Sequence, residues 1–218
     1  NKGDLVKIDL GCHIDGHIAD NAATVEIGTK RNEKLINAPE EALDIALKTI
    51  RPGIKAKDVG RNIKSVIEDA GFKPISNLTG HEIKQYNLHS GTSIPNVARG
   101  SDVIKKGMVL AIEPFATTGK GKVKNGDRSE IYKLENQRNI NDKDLNFYKW
   151  VEEKFYHLPF TSRWCKEYGK DYKERLSRLV RFRAAMVYPI LIEARNGLIT
   201  QREHTCIVTS SGCKVITK

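Results

Sequence analysis

Acidic side chains stand where an apolar core would be expected, and they constrain this chain more than any other feature. Asp9 interrupts the run Val6-Lys-Ile-Asp-Leu10, and Asp20 follows Ile18-Ala19. Glu113 sits inside Leu110-Ala-Ile-Glu-Pro-Phe115, and Glu203 opens Glu-His-Thr-Cys-Ile-Val208. A buried carboxylate without a partner is costly, so such acids pair with a cation, bind a metal or take up a proton. Taken singly, each fits the solvated face of a half-exposed strand. Asp9 and Asp20 fit that reading less well together, because a hairpin joins them and both can point at one spot. An oxygen-rich set with one histidine suits hard divalent ions such as Mn²⁺, Mg²⁺ or Fe²⁺ better than a structural zinc. Shared carboxylates can hold two ions about 3.5–4 Å apart, which activate a water between them and imply a hydrolase.

The pattern around these acids predicts an α+β fold with a largely antiparallel sheet. Val6, Ile8 and Leu10 share one strand face, Asp15-Gly16 signals a hairpin turn, and Val25 and Ile27 close the return strand. Leu35, Ala42, Leu43, Ala46, Leu47 and Ile50 recur at helical spacing up to Pro52-Gly53. Pro39 either kinks that helix or belongs to its first turn. A second helix carries Val59, Ile63, Val66, Ile67 and Ala70 and stops at Gly71. Short strands and loops fill 72–96, and Val109 to Phe115 reads as one apolar strand. Residues 142–187 read as mostly helical, and strands return at Tyr188–Glu193, Leu198–Ser210 and Lys214–Thr217.

Composition excludes other classes. The chain has 218 residues, 29% of them charged and 39% hydrophobic, with a mean hydropathy of −0.48. These values suit a globular domain, and no apolar run approaches the roughly 18 residues that span a bilayer. Lys and Arg number 37 against 27 Asp and Glu, a net charge of +10. Eight of the basic residues lie between Arg163 and Arg183, among only three acids. A solvated helix face is the preferred reading of that cluster; an RNA or ribosome docking patch is the alternative. The four cysteines form no C-x-x-C pair and are expected to be reduced thiols of a cytoplasmic protein.

Four segments carry a family resemblance: KIDLGCHIDGHIAD (7–20), LTGHEIKQYNLHSGTSIPN (78–96), LAIEPFATTGKG (110–121) and ITQREHTCIV (199–208). Together they resemble the ordered motifs of type 2 methionine aminopeptidases in their archaeal form. The resemblance implies the pita-bread fold, with the catalytic domain at 1–125 and 188–218 and an inserted, winged-helix-like helical subdomain at 126–187. The separation of 90 positions between Glu113 and Glu203 fits the long insertion of type 2. It also implies two divalent ions (Co, Mn, Fe or Zn) held by Asp9, Asp20, His81, Glu113 and Glu203, with Asp20 and Glu203 bridging. Glu113 would move protons, and His89 would contact the substrate near the scissile amide. Leu88, Phe115 and Tyr188 would line the methionine side-chain pocket. The implied substrates are nascent polypeptides that begin with methionine, and no membrane is involved.

The chain departs from the family pattern at His17, where a tyrosine is expected, and at Arg202, where an aromatic residue is usual. It begins at Asn1, with methionines only at 108 and 186. A trimmed or split product is therefore expected, possessing the five ligands but not the family's upstream histidine, which a separate N-terminal chain could supply. Weak activity of this chain alone is the expectation. The competing classes are a non-catalytic pita-bread protein that binds RNA or ribosomes, and a proline-specific peptidase. The intact ligand set opposes the first. The Ile-Glu-Pro-Phe and Leu-His-Ser-Gly motifs and the long insertion oppose the second.

Overall fold

The computed structural model describes residues 1–135 and 140–218. They form two compact units, one of Asn1–Lys124 with Ile192–Lys218 and one of Asn125–Leu191. Among the described residues no helix is long and apolar enough to cross a membrane.

The first unit begins with the anticipated hairpin, β1 (Leu5–Ile14) and β2 (His17–Glu26). Asp15 and Gly16 both take positive φ, 50° and 80°, which is the backbone of a tight turn matched to strand twist. Helix α1 (Glu33–Thr49) runs unbroken through Pro39. Proline cannot donate to the carbonyl four residues back, and the Thr200 hydroxyl donates to that oxygen, Leu35 O, instead at 2.7 Å. Helix α2 (Ala56–Asp69) follows, and Gly71 (φ 86°) stands just beyond its end.

Strands β3 (Lys73–Pro74), β4 (Thr79–Lys84) and β5 (Asn87–Pro95) come next. The apolar run 109–115 is not one strand. It divides into β6 (Val109–Ile112) and β7 (Phe115–Thr117) at Glu113-Pro114. The run 198–210 divides likewise, into β11 (Ile199–Gln201) and β12 (Glu203–Val208), at Arg202. The two breaks lie side by side, with the Arg202 N–H donating to Pro114 O at 3.3 Å. The paired ribbon therefore leaves one sheet and enters another at a single level. Above the break β6 and β12 belong to a seven-stranded sheet of order β1-β2-β12-β6-β4-β5, with β13 (Cys213–Val215) also on β12. Below it β7 joins β11 and β3 in a three-stranded sheet.

Helices α1 and α2 cover one face of the large sheet over Ile94, Leu110, Ile112, Cys206 and Val208. Val6, Ile8 and Leu10 share a strand face as expected, yet they stay 40%, 51% and 58% exposed.

In the second unit, α3 (Asp142–Phe155), a 3-10 segment (Ser162–Glu167) and α4 (Tyr172–Arg181) enclose Phe147, Tyr148, Val151, Cys165, Leu176 and Leu179. The expectation of helix through 187 is corrected: this stretch also contains β9 (Phe160–Thr161), and β10 (Ala185–Glu193) begins before residue 187. The long β8 (Val123–Leu134), not anticipated, completes a sheet of order β10-β8-β9. Arg178 grips the fully buried Asp144 through two hydrogen bonds of 2.8 Å, and Arg175 stands 3.7 Å from the same carboxylate. Two of the eight clustered cations thus serve the core, while Arg163, Lys166, Lys170, Lys173, Arg181 and Arg183 are exposed. Tyr188 is half-buried on β10, and its phenol pKa is pushed up by burial and by Glu135.

Candidate metal centre

Six neighbouring strands each bring one chemically active side chain to the middle of the large sheet. Asp9 comes from β1, Asp20 from β2, Glu203 from β12, Glu113 from the residue after β6, His81 from β4 and His89 from β5. The acids that looked misplaced in apolar runs share a focus because strands as far apart in the chain as β2 and β12 became neighbours, pairing Asn21 with His204. Ligand atoms of Asp20, His81 and Glu203 all lie within 4.8 Å of one another. His81 Nε2 stands 3.8 Å from Asp20 Oδ2 and 3.5 Å from Glu113 Oε1. The His89 ring packs on that of His81, with centroids 4.3 Å apart.

Hydroxyls fix the frame around these groups. β2 and β12 pair directly only at Glu203↔Ala22 and His204↔Asn21. On one side of that short ladder the Asp20 N–H donates to Thr205 Oγ1 at 2.8 Å, and the hydroxyl donates back to Asp20 O at 2.7 Å. On the other, Gln201 N–H donates to Thr24 Oγ1 at 2.8 Å, and that hydroxyl donates to Gln201 O at 2.9 Å. Asn96, 1% exposed, donates to Glu113 O and accepts from the Phe115 N–H at 3.1 Å. It thereby holds the ribbon at its break. Gly80 lets β4 approach β6: a Cβ there would lie 2.3 Å from Ala111 O.

The electrostatics are those of crowded anions. Burial, then Asp9, raises the Asp20 pKa to about 6 against the pull of a backbone N–H. Burial, then Asp20 and Asp9, raises Glu203 to about 9, although the Gln201 amide pulls it down. Glu113 is raised well above the ordinary range by burial and by Glu203, Asp20 and Asp9. His81 is lowered to about 4 by burial and by His89, which keeps its imidazole neutral and able to ligate. Glu203 Oε1 and His81 Nδ1 are buried with no hydrogen-bond partner among the described residues. Carboxylates forced together, a neutral imidazole and an orphaned carboxylate oxygen fit a cation: it would relieve the repulsion and occupy the unpaired donor atoms.

These observations match the chain's relatives. Residues 1–209 match the sequence pattern of metallopeptidase family M24. The chain belongs to metallopeptidase family M24. This M24 chain is 44% identical over its whole length to a methionine aminopeptidase of Archaeoglobus fulgidus and 41% identical to one of Saccharolobus solfataricus, spanning 74% of each. Among solved structures, a thermophilic Arx1 superposes with a TM-score of 0.84 at 18% identity, covering 98% of this chain and 66% of that one. The methionine aminopeptidase of Thermotoga maritima gives 0.65 at 24% identity, covering 100% and 65%. Both likenesses establish the pita-bread fold of the M24 chain.

Phe115 is buried against Ile75 and Val123, with Leu78 and Ile199 alongside. The Lys7 ammonium stands over its ring, 6.0 Å from the centroid. Leu88 is half-buried on β5. His204, as alternation predicts, turns from the centre and meets Thr217 Oγ1 at 3.0 Å. Sequence reasoning missed Gln201, Thr24, Thr205 and Asn96. A signal existed for Gln201, which lies two residues before Glu203 and so on a similar side of the chain. For the threonines and Asn96 the partners lie on other strands, and no spacing reveals them.

Proposed function

We propose that this chain removes the N-terminal methionine from nascent polypeptides, using two divalent ions held by Asp9, Asp20, His81, Glu113 and Glu203. The observation that carries the reading is the convergence of these five side chains, one per strand, on a site with an unpaired buried carboxylate oxygen. The two archaeal methionine aminopeptidases support the choice of substrate. Bound ions would supply Lewis acidity and bring a water within reach of ionisation near neutral pH.

The chain's own groups account for the rest. Glu113, half-buried and 3.5 Å from His81 Nε2, accepts the proton of the attacking water and returns it to the leaving amine. His89, ring against ring with His81, donates toward the amide being cut. Phe115 and Leu88 offer an apolar surface that suits a flexible thioether. The second unit is read as an insertion into the catalytic one. Its six exposed cations are the groups through which any ribosome contact would run, in the cytoplasm where nascent chains emerge.

The test is release of methionine from Met-Ala-Ser peptides by chelator-treated protein resupplied with Mn²⁺, Co²⁺ or Fe²⁺. The chain is assayed alone and with a relative's upstream segment added. Metal-dependent release is expected, stronger with the added segment. No release under any of these conditions overturns the reading.

A further inference from the structure

We infer that Gln201 is a positioning residue for the metal centre: its side-chain amide ties Asp9 to Glu203 and leaves their other oxygens facing the shared spot. This rests on reading the centre as a metal site. Gln201 Nε2 lies 3.1 Å from Asp9 Oδ2 and 3.2 Å from Glu203 Oε2. An amide nitrogen has two N–H groups, and each is directed to one carboxylate.

The need for such a tie follows from the sheet. Asp9 is on β1 and Glu203 on β12, with β2 between them. Both residues pair with Ala22 of β2, so register puts them at one level with a strand between, and the spacing of the two repelling carboxylates is left to their side chains. Gln201 is itself well fixed: it is 3% exposed, its backbone exchanges two hydrogen bonds with Thr24 Oγ1, and it pairs with Phe115 across β11 and β7.

The side-chain type matters as much as the place. A neutral donor occupies one oxygen of each carboxylate without cancelling their charge. A lysine here would neutralise the charge that draws a cation in, and a glutamate would add a further anion. With Oε2 held by Gln201, Glu203 Oε1 remains the unpaired atom. Groups of this kind around metal sites commonly change affinity by about 10–100-fold when removed.

The test uses Gln201→Met, which keeps the length and removes both donors, and Gln201→Asn, which keeps the amide on an arm too short to reach both carboxylates. Mn²⁺ affinity is measured by calorimetry without peptide, and the visible spectrum of the Co²⁺-loaded protein reports the ligand geometry. The expected result is about 10–100-fold weaker Mn²⁺ binding in both variants and an altered Co²⁺ band, with circular dichroism unchanged. Binding of Mn²⁺ by Gln201→Met within about twofold of the parent, with the same Co²⁺ spectrum, overturns the inference. Should Gln201→Met not fold, Gln201→Asn decides by the same two readings. Because no peptide enters the measurement, a failure of methionine release leaves this result standing, and the reverse also holds.

Discussion

Glu203→Gln should make the metal-free protein more stable while making the metal-loaded protein weaker. Glu203 is 2% exposed, and burial together with Asp20 and Asp9 raises its pKa from 4.5 to about 9. A raised carboxyl pKa means that the folded chain binds this proton more tightly than the unfolded chain. Its contribution to stability is complete below the unfolded pKa and is lost as pH rises from there toward about 9. At pH 7.5 the interval of about three pH units corresponds to a ceiling of about 4 kcal/mol. Asp20, Asp9 and Glu113 share the same crowding, so about 2–4 kcal/mol is the expected gain from removing the ionisable group. For a chain of this size that is a rise in melting temperature of roughly 5–12 °C. The assay is scanning calorimetry in chelator at pH 5, 7.5 and 9, comparing parent and variant. The gap should be small at pH 5 and widen with pH. Adding Mn²⁺ should reverse the order, because the variant lacks a carboxylate that the proposed ion would use. A metal-free variant that melts no higher than the parent at pH 7.5, or a gap independent of pH, would refute the account of the centre as a cluster of strained acids.

Two further outcomes test the frame around the centre. Thr200→Val leaves the Leu35 carbonyl, which Pro39 cannot serve, without its 2.7 Å donor, and urea unfolding should show a loss of about 1–3 kcal/mol. Asp144→Ala removes the two hydrogen bonds that anchor Arg178 in the second unit and leaves it only its exposed partner Glu174. That unit should lose about 1.5–3 kcal/mol in denaturant melts, with Mn²⁺ affinity of the centre unchanged.

Local chemistry made much of the fold legible. The Asp15-Gly16 turn follows from two residues that tolerate positive φ. Helices α1 and α2 follow from apolar residues at a period that buries one face. The ribbon break was not legible: Val109–Phe115 and Leu198–Ser210 both look like single strands. Pro114 and Arg202 interrupt them, and their effect depends on lying beside each other. The basic cluster also misled in part. Asp144 lies more than thirty residues from Arg175 and Arg178, and helical packing alone reveals that it holds both.

The sequence by itself singled out the acids Asp9, Asp20, Glu113 and Glu203, because a carboxylate in an apolar strand demands a partner where the chain buries it. The tertiary structure alone decided how those groups meet. Hydrogen bonding across β1, β2, β12, β6, β4 and β5 sets their order, and Gln201, 192 residues beyond Asp9, supplies a tie between two strands that never pair. The physical reason is one of range. Propensity and burial act over a few neighbouring residues, whereas the distances among Asp9, Asp20, His81, Glu113 and Glu203 are fixed by sheet register and by the hydroxyls of Thr24 and Thr205.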